Sequence, residues 1–552
     1  MKNIIIIILF CNVLIFPQQN SVGLISKTDD VSDGYILLNP ISLKKTYLIN
    51  NNGEKVHEWN SEYNSLISYL LPSGNLVRSI FLNNENFDAV GGSTGGIEIL
   101  SWNGEVIWNY DLSTPNKMLH HDIEILPNGN ILAISWKKID LERMLNLGRD
   151  PELYFNHDGN IQEELWGEEI VEINPSNSEI VWKWNVFEHV VQNFNDTLEN
   201  FNSVSENYQL IDINKGHTGD WLHFNSLDYN EYLDQILITS PFSNEIYIID
   251  HSTTNLESSS HQGGNYEMGG DILYRWGNPL MYDMGDIDDQ KLFFVHDAHW
   301  IDEEKGIIRF FNNGGGFRNF STIETIQTPL NEDGKYDIDS SGVFLPFESI
   351  IDYNEESFNT FFSAGISGSQ PLSNGNILIC EGVKGKIFEI DNNKNIVWEY
   401  VNPVNNSGIL NYNESPSRNP LFQVRKYPLD YGVLSEKELI PYGPIESYNI
   451  LSLDGNNENN DQDIIIKNYP NPFNSSTKID YFIKNSLNIE VSIYNILGKK
   501  IKNIHNQFLT KGSYSFSWDL KNDNGENVES GVYIFILESS DFKISHKMLL
   551  MK

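Results

Sequence analysis

Histidine is the residue type through which this chain is equipped to do chemistry, and its distribution is uneven. Of 13 histidines, eleven lie between His57 and His299, and none lies between Asn319 and Ile504. Several stand in dense strings: Leu119-His120-His121-Asp122, Asp220-Trp221-Leu222-His223-Phe224-Asn225-Ser226, and Val295-His296-Asp297-Ala298-His299-Trp300. Asn312-Asn313-Gly314-Gly315-Gly316-Phe317-Arg318 follows the last of these. An imidazole serves near neutral pH as nucleophile or proton carrier, and a guanidinium holds two oxygens of one oxyanion in a fork. The two together point to chemistry on a small anion. The candidate residues are His121, His223, His296, His299 and Arg318, with Asp297 placed to orient a neighbouring imidazole. Plainer readings stand beside these: His120 or His121 capping a turn, His299 as a core histidine beside Trp300, Arg318 in a salt bridge.

The elements that must carry these strings repeat. Leu71-Pro72-Ser73-Gly74-Asn75-Leu76, Leu126-Pro127-Asn128-Gly129-Asn130-Ile131 and Leu372-Ser373-Asn374-Gly375-Asn376-Ile377 each read as a tight turn between apolar strands, with Gly and Asn supplying positive φ. A second element recurs as Val106-Ile107-Trp108-Asn109-Tyr110, Ile180-Val181-Trp182-Lys183-Trp184 and Ile396-Val397-Trp398-Glu399-Tyr400, and more loosely as Ile272-Leu273-Tyr274-Arg275-Trp276. Irregular repetition of this kind predicts successive four-stranded blades, about six of them, over 23–441. Helix is expected only around Leu141–Leu147 and His189–Phe201. The expected architecture is all-β: a six-bladed β-propeller followed by a small immunoglobulin-like β-sandwich.

Composition and charge narrow the function. Hydrophobic residues at 40% and aromatics at 12% supply a large core. The net charge of −39 excludes nucleic acid as a partner. From Asn468 to the end there are ten Lys against eight Asp or Glu, a net of +2, so the preceding part carries −39 − 2 = −41. Charge therefore marks a boundary, and the polar run within 452–467 reads as its linker. Residues 1–19, with Lys2 ahead of an apolar run from Ile4 to Phe16, read as a secretory signal peptide, too short to span a bilayer. Beyond it only Cys380 remains, so no internal disulfide is expected, and no other span is visible. Residues 468–552 alternate apolar and polar, as short sandwich strands do.

That tail resembles the C-terminal sorting domain of proteins exported by the type IX secretion system. The matching residues are Tyr469-Pro470-Asn471-Pro472-Phe473-Asn474, Ile493-Tyr494-Asn495 with Leu497-Gly498, Gly512-Ser513-Tyr514, Trp518-Asp519, Ser530-Gly531-Val532-Tyr533 and Lys547-Met548. The resemblance implies passage through the periplasm, engagement of the type IX machinery and a secreted or cell-surface destination. The body resembles the bacterial arylsulfate sulfotransferase family. It does so from Gly34-Tyr35-Ile36-Leu37-Leu38-Asn39-Pro40 through Val56-His57-Glu58-Trp59 to Trp398-Glu399-Tyr400-Val401-Asn402-Pro403, and most specifically in the histidine strings.

The resemblance implies a six-bladed propeller that moves a sulfuryl group from a phenolic sulfate donor to a phenol acceptor through a sulfurylated histidine, with no nucleotide sulfate donor and no cofactor. A sulfuryl group passes through a loose transition state with charge on its peripheral oxygens, which suits imidazole and guanidinium partners. On the matching strings, His223 and His296 take the places of family active-site histidines and Arg318 that of the anion-binding arginine. His121 and His299 are second members of the pocket. The resemblance also implies a nucleophilic histidine in a later blade than the arginine, where this chain carries Phe362-Ser363-Ala364-Gly365-Ile366-Ser367-Gly368. Either His296, the first choice, or His223 takes over as nucleophile, or this member has changed or lost the reaction. The alternative is a non-catalytic, surface-displayed propeller that binds a glycan or sulfated polymer. No metal motif is present: there is no Cys-rich zinc pattern or His-Glu-x-x-His helix, and the acidic loop at 331–339 reads as a solvated loop rather than a calcium site.

Overall fold

The three repeated turn strings fold alike in the computed structural model. In each, the Gly amide donates to the Leu carbonyl three residues back and the Leu amide donates to the carbonyl of the Asn after the Gly, for example Gly74 to Leu71 and Leu71 to Asn75, both 2.8 Å. Gly74, Gly129 and Gly375 take φ of 85–90°, where a Cβ is disfavoured. The Asn that follows each does not share this conformation, so glycine alone carries the positive φ. The structure describes residues 20–87, 91–154, 163–355, 360–447, 466–483, 486–496, 498–539 and 543–551. The expected signal peptide, and the expected linker through residue 465, lie outside the described residues.

Two compact units divide at Ser447 and Tyr448. Within the first, among the described residues, the turns join strands into six antiparallel sheets of four or five strands, beside two two-stranded pairs. The opening strands of sheets two to six are Ser65–Leu70, Lys117–Ile125, Ser226–Asn230, Val295–Asp302 and Gly368–Pro371, each at one edge of its sheet. Sheet one runs Arg425–Tyr427, Tyr35–Leu38, Lys45–Ile49, Lys55–Asn60, so a strand from the end of the unit forms its edge. At the other seam, Gly23–Lys27 adds to Ile396–Val401 of sheet six. Both chain ends of the unit are thus stitched into sheets formed by distant sequence.

Strand periodicity explains how the sheets pack. Successive side chains leave opposite faces of a strand, so Ile36 and Leu38 join a core shared with Leu378, Ile387 and Trp398 of sheet six. Leu37 and Leu48 join one shared with Leu70, Leu76 and Leu100 of sheet two. The same holds onward: sheets two and three share Val77, Ile97, Leu119 and Ala133, and sheets three and four share Leu132, Ile170, Ile236 and Tyr247. Sheets four and five share Ile246, Ile248, Ile308 and Phe310; five and six share Phe311, Ile323, Ile379 and Phe388. Each of these sheets thus contributes residues to two shared cores.

Helix is scarce. Leu141–Asn146 forms one short α-helix, capped by the Asp140 carboxylate on the Arg143 amide. The expected helix over His189–Phe201 does not form. β-Branched Val190 and Val191 pair in parallel with Ile211 and Asp212, and Gln192 Oε1 takes the amides of Phe194 and Asn195 that a helix would need. In the second unit, Ile466–Tyr469, Thr477–Ile483 and Gly512–Trp518 form one sheet. Lys500–Leu509, Leu487–Asn495, Gly531–Glu538 and Lys543–Leu550 form another. Ile479, Tyr481 and Trp518 of the first share one core with Val491, Ile493 and Phe535 of the second.

One histidine ties sheets three and four. His251 Nδ1 lies 2.7 Å from Asp234 Oδ1 and Nε2 lies 3.2 Å from Glu172 Oε2. Burial pulls this imidazole down, but its two carboxylate hydrogen bonds and their charges outweigh that and raise it to about 9. A folded-state value above the unfolded one stabilises fully below about pH 6.5, and the contribution fades as pH rises through about 9. Allowing for solvent around Asp234, it is on the order of 1–3 kcal/mol. The denaturation midpoint of wild type should therefore fall toward that of His251→Gln between pH 6.5 and 9.5, and a gap that is constant with pH would contradict the clamp.

Candidate active site

The histidine strings stand where edge strands depart from regular β geometry. Between His120, opposite Ile134, and Ile123, opposite Ala133, the register slips, so His121 and Asp122 form a bulge. His121 has φ 52°, a left-handed conformation that reverses the usual alternation. As a result two consecutive imidazoles meet, with His120 Nδ1 and His121 Nδ1 2.8 Å apart. A second bulge lies between His296 and His299, with Asp297 at φ 51°. His223 (φ 57°), Phe294 (φ 64°), Ile366 (φ 48°) and Ser367 (φ 95°) are left-handed as well. Non-glycine residues avoid this region at a cost of about 1–2 kcal/mol each. Such strain gathers at functional sites because surrounding contacts can hold it there.

His223 is the best-equipped group. Its Nδ1 is hydrogen-bonded to Asp220 Oδ2, and Asp220 Oδ1 accepts the Trp136 indole N–H at 3.0 Å. The carboxylate fixes the ring and keeps the proton on Nδ1, so the lone pair sits on Nε2, for which no partner is recorded among the described residues. One ring face lies on Phe242 at 4.6 Å, and His121 meets the ring edge-on at 4.6 Å. Phe242 also stacks on His217 at 4.1 Å and, with Phe294, Gly315, Phe317 and Ala364, lines a cavity of about 290 Å³. The glycine turn permits this wall, since a Cβ at Gly315 would stand 2.3 Å from the Ala364 carbonyl oxygen.

Behind His121 runs a buried polar chain. His120 stacks on Trp136 at 3.9 Å and places Nε2 3.0 Å from Glu168 Oε2, while Glu168 Oε1 accepts the Phe224 amide. Burial pushes the Glu168 carboxyl well up, helped by the Asp220 charge. Burial also holds His120 and His121 well down, with neighbouring imidazoles adding to the effect. Two proton arrangements satisfy these contacts, and the raised Glu168 carboxyl favours the one in which Glu168 O–H donates to His120 Nε2 and His120 Nδ1–H donates to His121 Nδ1. That leaves an N–H on His121 Nε2, and a proton passed out there leaves the charge on Glu168, at the far end of the chain.

His296 is differently placed. Its Nδ1–H donates to Asn313 Oδ1 at 2.8 Å and to the Phe294 carbonyl at 3.1 Å, and Nε2 accepts the Ile366 amide at 3.0 Å. Burial lowers it to about 4, so it is neutral at physiological pH. Both nitrogens are committed, and the ring pins the 363–366 turn. His121 lies within electrostatic reach of both His223 and His296, so these three come together. His299 does not join them: its neighbours are Asp297, Arg425 and Arg309, and its Nε2 is buried with no hydrogen-bond partner among the described residues. Arg318 is held by the Asn312 carbonyl, by Thr322 Oγ1 at 2.8 Å and by Glu324, against Phe293 and Phe320. No contact among the described residues links it to the three histidines.

Sequence reasoning gave His120 only as a turn cap and gave no role to Asp220, Glu168, Phe242 or Asn313. Asp220 and Asn313 carried a signal, since they stand in the same strings as His223 and Arg318. Glu168 and Phe242 reach the site from separate strands and turns that no residue type announces.

With this geometry in view, comparison with known proteins is specific. Residues 24–407 match the arylsulfotransferase (ASST) family and residues 467–551 match the secretion system C-terminal sorting domain. The first match spans most of the chain, and the protein belongs to the arylsulfotransferase family. Its tail is a type IX sorting domain, which directs secretion to the cell surface or the extracellular space. No curated protein matches the chain. Among solved structures, a Bacteroides caccae protein of unknown function is 14% identical, with a TM-score of 0.36 over 67% of this chain and 93% of that one. Virginiamycin B lyase from Staphylococcus aureus is 13% identical, with a TM-score of 0.31 over 69% and 88%.

Asn313 holds this site together from within. Its amide N–H groups donate to the Ser363 and Ile366 carbonyls at 2.9 and 2.7 Å while its Oδ1 accepts from His296. Asn313→Ala strands three buried polar groups and should destabilise the larger unit by about 2–4 kcal/mol. Denaturant titration measures the loss, and amide exchange at Ile366 should quicken. An unchanged midpoint would show that the 363–366 turn is held by other means.

Proposed function

We propose that this protein is a secreted aryl-sulfate sulfotransferase, moving a sulfuryl group between phenolic compounds with His223 as the nucleophile. The observation that carries the reading is the Asp220–His223 pair, whose imidazole stacks on Phe242, a wall of the aromatic cavity of about 290 Å³. Family membership supports the reaction class. In this account the six sheets are the blades of a six-bladed propeller, and the two-sheet tail is an immunoglobulin-like sandwich removed or retained after export. Residues 1–19 are the signal peptide, 23–441 the propeller, 452–467 the linker and 468–552 the sorting domain.

The reaction balances with the groups present. The donor phenyl ring lies against Phe242 and Phe294. His223 Nε2 attacks sulfur, the S–N bond forms, and the S–O bond to the aryl oxygen breaks. Asp220, accepting the Nδ1–H, stabilises the positive charge that develops on the ring. The departing phenolate oxygen takes the His121 Nε2 proton, and protons shift along His120 to leave Glu168 as the carboxylate. The acceptor phenol reverses every step: its proton enters at His121, its oxygen attacks sulfur, and the S–N bond breaks. Arg318 serves as the anion-binding guanidinium only after exchanging Glu324 for sulfuryl oxygens, which the adjoining Gly314–Gly316 turn permits. His296 positions the wall rather than reacting, and His299 belongs to the strand junction.

One observation favours a second reading. The Ile366 amide covers His296 Nε2, and no histidine lies between Asn319 and Ile504, so a non-catalytic propeller binding a glycan or sulfated polymer is the alternative. Turnover of a chromogenic aryl sulfate with a phenol acceptor separates them. Wild type should release the phenol, His223→Ala should abolish transfer, and Asp220→Asn should slow it roughly 10²–10⁴-fold. Full activity in His223→Ala, or none in wild type across several aryl sulfates, would overturn the assignment.

A further inference from the structure

Away from that site, a loop between sheets three and four brings together residues that no motif connects. His189 follows the outer strand of sheet three (Glu179–Asn185), while His261 and Asp271 lie in the segment leading to the outer strand of sheet four (Ile272–Trp276). One ligand atom from each lies within 4.8 Å of the others. His189 Nδ1 and His261 Nδ1 converge on the same oxygen, Asp271 Oδ1, at 2.8 and 2.7 Å.

The frame around them is fixed before any ion arrives. Trp184 Nε1 donates to the Gly270 carbonyl at 2.6 Å, Ser258 Oγ to the Lys183 carbonyl at 2.8 Å, and Asn255 Nδ2 to the Val181 carbonyl at 2.9 Å. The loop is thereby bonded along the edge of sheet three. Gly270 allows the close approach: a Cβ there would stand 2.1 Å from the Ser258 oxygen and 2.6 Å from His189 Nε2. His189 is buried, its ring parallel to Trp184 at 5.5 Å.

The second nitrogen of His189 decides the chemistry. Nε2 lies 2.8 Å from the Ser258 carbonyl oxygen, which only accepts, so Nε2 carries the ring proton. In a neutral ring Nδ1 is then a lone pair facing a carboxylate oxygen, and a positive charge must sit between them. His261 satisfies its own contact with a single proton on Nδ1; His189 cannot. A metal ion supplies the charge and recruits all three groups together. A histidine whose remote N–H donates to a backbone carbonyl is the usual arrangement for a metal ligand. The His261 side chain is 58% exposed, which provides an entry path and an open position for water.

We propose that His189, His261 and Asp271 form a binding site for a divalent transition metal of the zinc class, one that fastens the 254–270 loop across two neighbouring sheets. Two imidazoles and a carboxylate suit Zn²⁺ in preference to the oxygen-seeking Ca²⁺ or Mg²⁺. Ligand bonds of about 2.0–2.2 Å require the three atoms to separate by roughly half an ångström from their present contacts. An exposed His261 side chain is free to make that adjustment.

The test uses the full chain, stripped with a chelator and titrated with ZnCl2 by calorimetry, alongside His261→Ala and Asp271→Asn. Wild type should bind one ion per chain with micromolar or tighter affinity, and saturating Zn²⁺ should raise its thermal midpoint by about 2–6 °C. His261→Ala removes an exposed side chain and should remain folded while losing affinity at least 30-fold. Co²⁺ loaded in place of Zn²⁺ should give the visible absorption of a four-coordinate nitrogen and oxygen site. Absence of a bound ion would leave a proton as the charge at His189 and overturn the proposal. So would binding that His261→Ala leaves unchanged, since the ion would then sit elsewhere. Neither readout depends on sulfuryl transfer.

Discussion

Six edge strands with no backbone ladder between them are joined by side-chain hydrogen bonds in a closed circuit, and the rest of the larger unit depends on it. An edge strand leaves amide N–H groups unpaired. Here Asp122 Oδ2 takes the Leu227 amide at 3.1 Å, and Asp228 takes that of Trp300 at 2.6 Å. Asp297 takes that of Ser369 at 2.7 Å, and Gln370 Oε1 that of Lys426 at 2.7 Å. Tyr427 takes the Leu70 amide at 2.9 Å, and Tyr69 donates to Asp122 at 2.8 Å, which closes the ring. Arg425, bonded to Asp297 at 2.9 Å, supplies countercharge to the carboxylates gathered there. Burial still raises Asp122 and Asp228 to about 7, so this centre is electrostatically costly and is held by the apolar packing of sheet on sheet.

The same constraint explains why the candidate histidines lie where they do. Asp122 and Asp297 must face the next strand, and each sits in a bulge beside a site histidine. Turning the carboxylate toward the circuit turns His121 or His296 the other way, toward His223. Structural and functional residues are therefore neighbours in sequence because one backbone irregularity serves both. His223 reaches the same place from the segment just before the opening strand of sheet four, with Asp220 fixing its ring.

Much of the fold was legible in the sequence, and for identifiable reasons. The Leu-x-x-Gly-Asn turns and the Trp-bearing fourth strands are local patterns, and sequence reads local patterns well. Charge changes at Asn468, while the two compact units divide at Ser447 and Tyr448. The helix expected at His189–Phe201 failed because Val190, Val191 and Gln192 found strand and side-chain partners that only tertiary structure supplies. The site was half legible: residue types picked out His121, His223 and His296, but not what each nitrogen does. Spacing could not reveal that Ile366 covers His296 Nε2, that Glu324 engages Arg318, or that His299 faces Arg425. Nor could it connect His189 with Asp271, which are brought together only by a loop crossing between sheets.

The central claim is that His223 Nε2 accepts the sulfuryl group, and its most direct measurement is mass spectrometry of the protein after incubation with an aryl sulfate donor and no acceptor. The account predicts a mass gain of one sulfuryl group per chain, located by fragmentation on the peptide carrying His223 and discharged when phenol is added. A stable adduct on His296, on another residue, or on none while phenol is still released would contradict it.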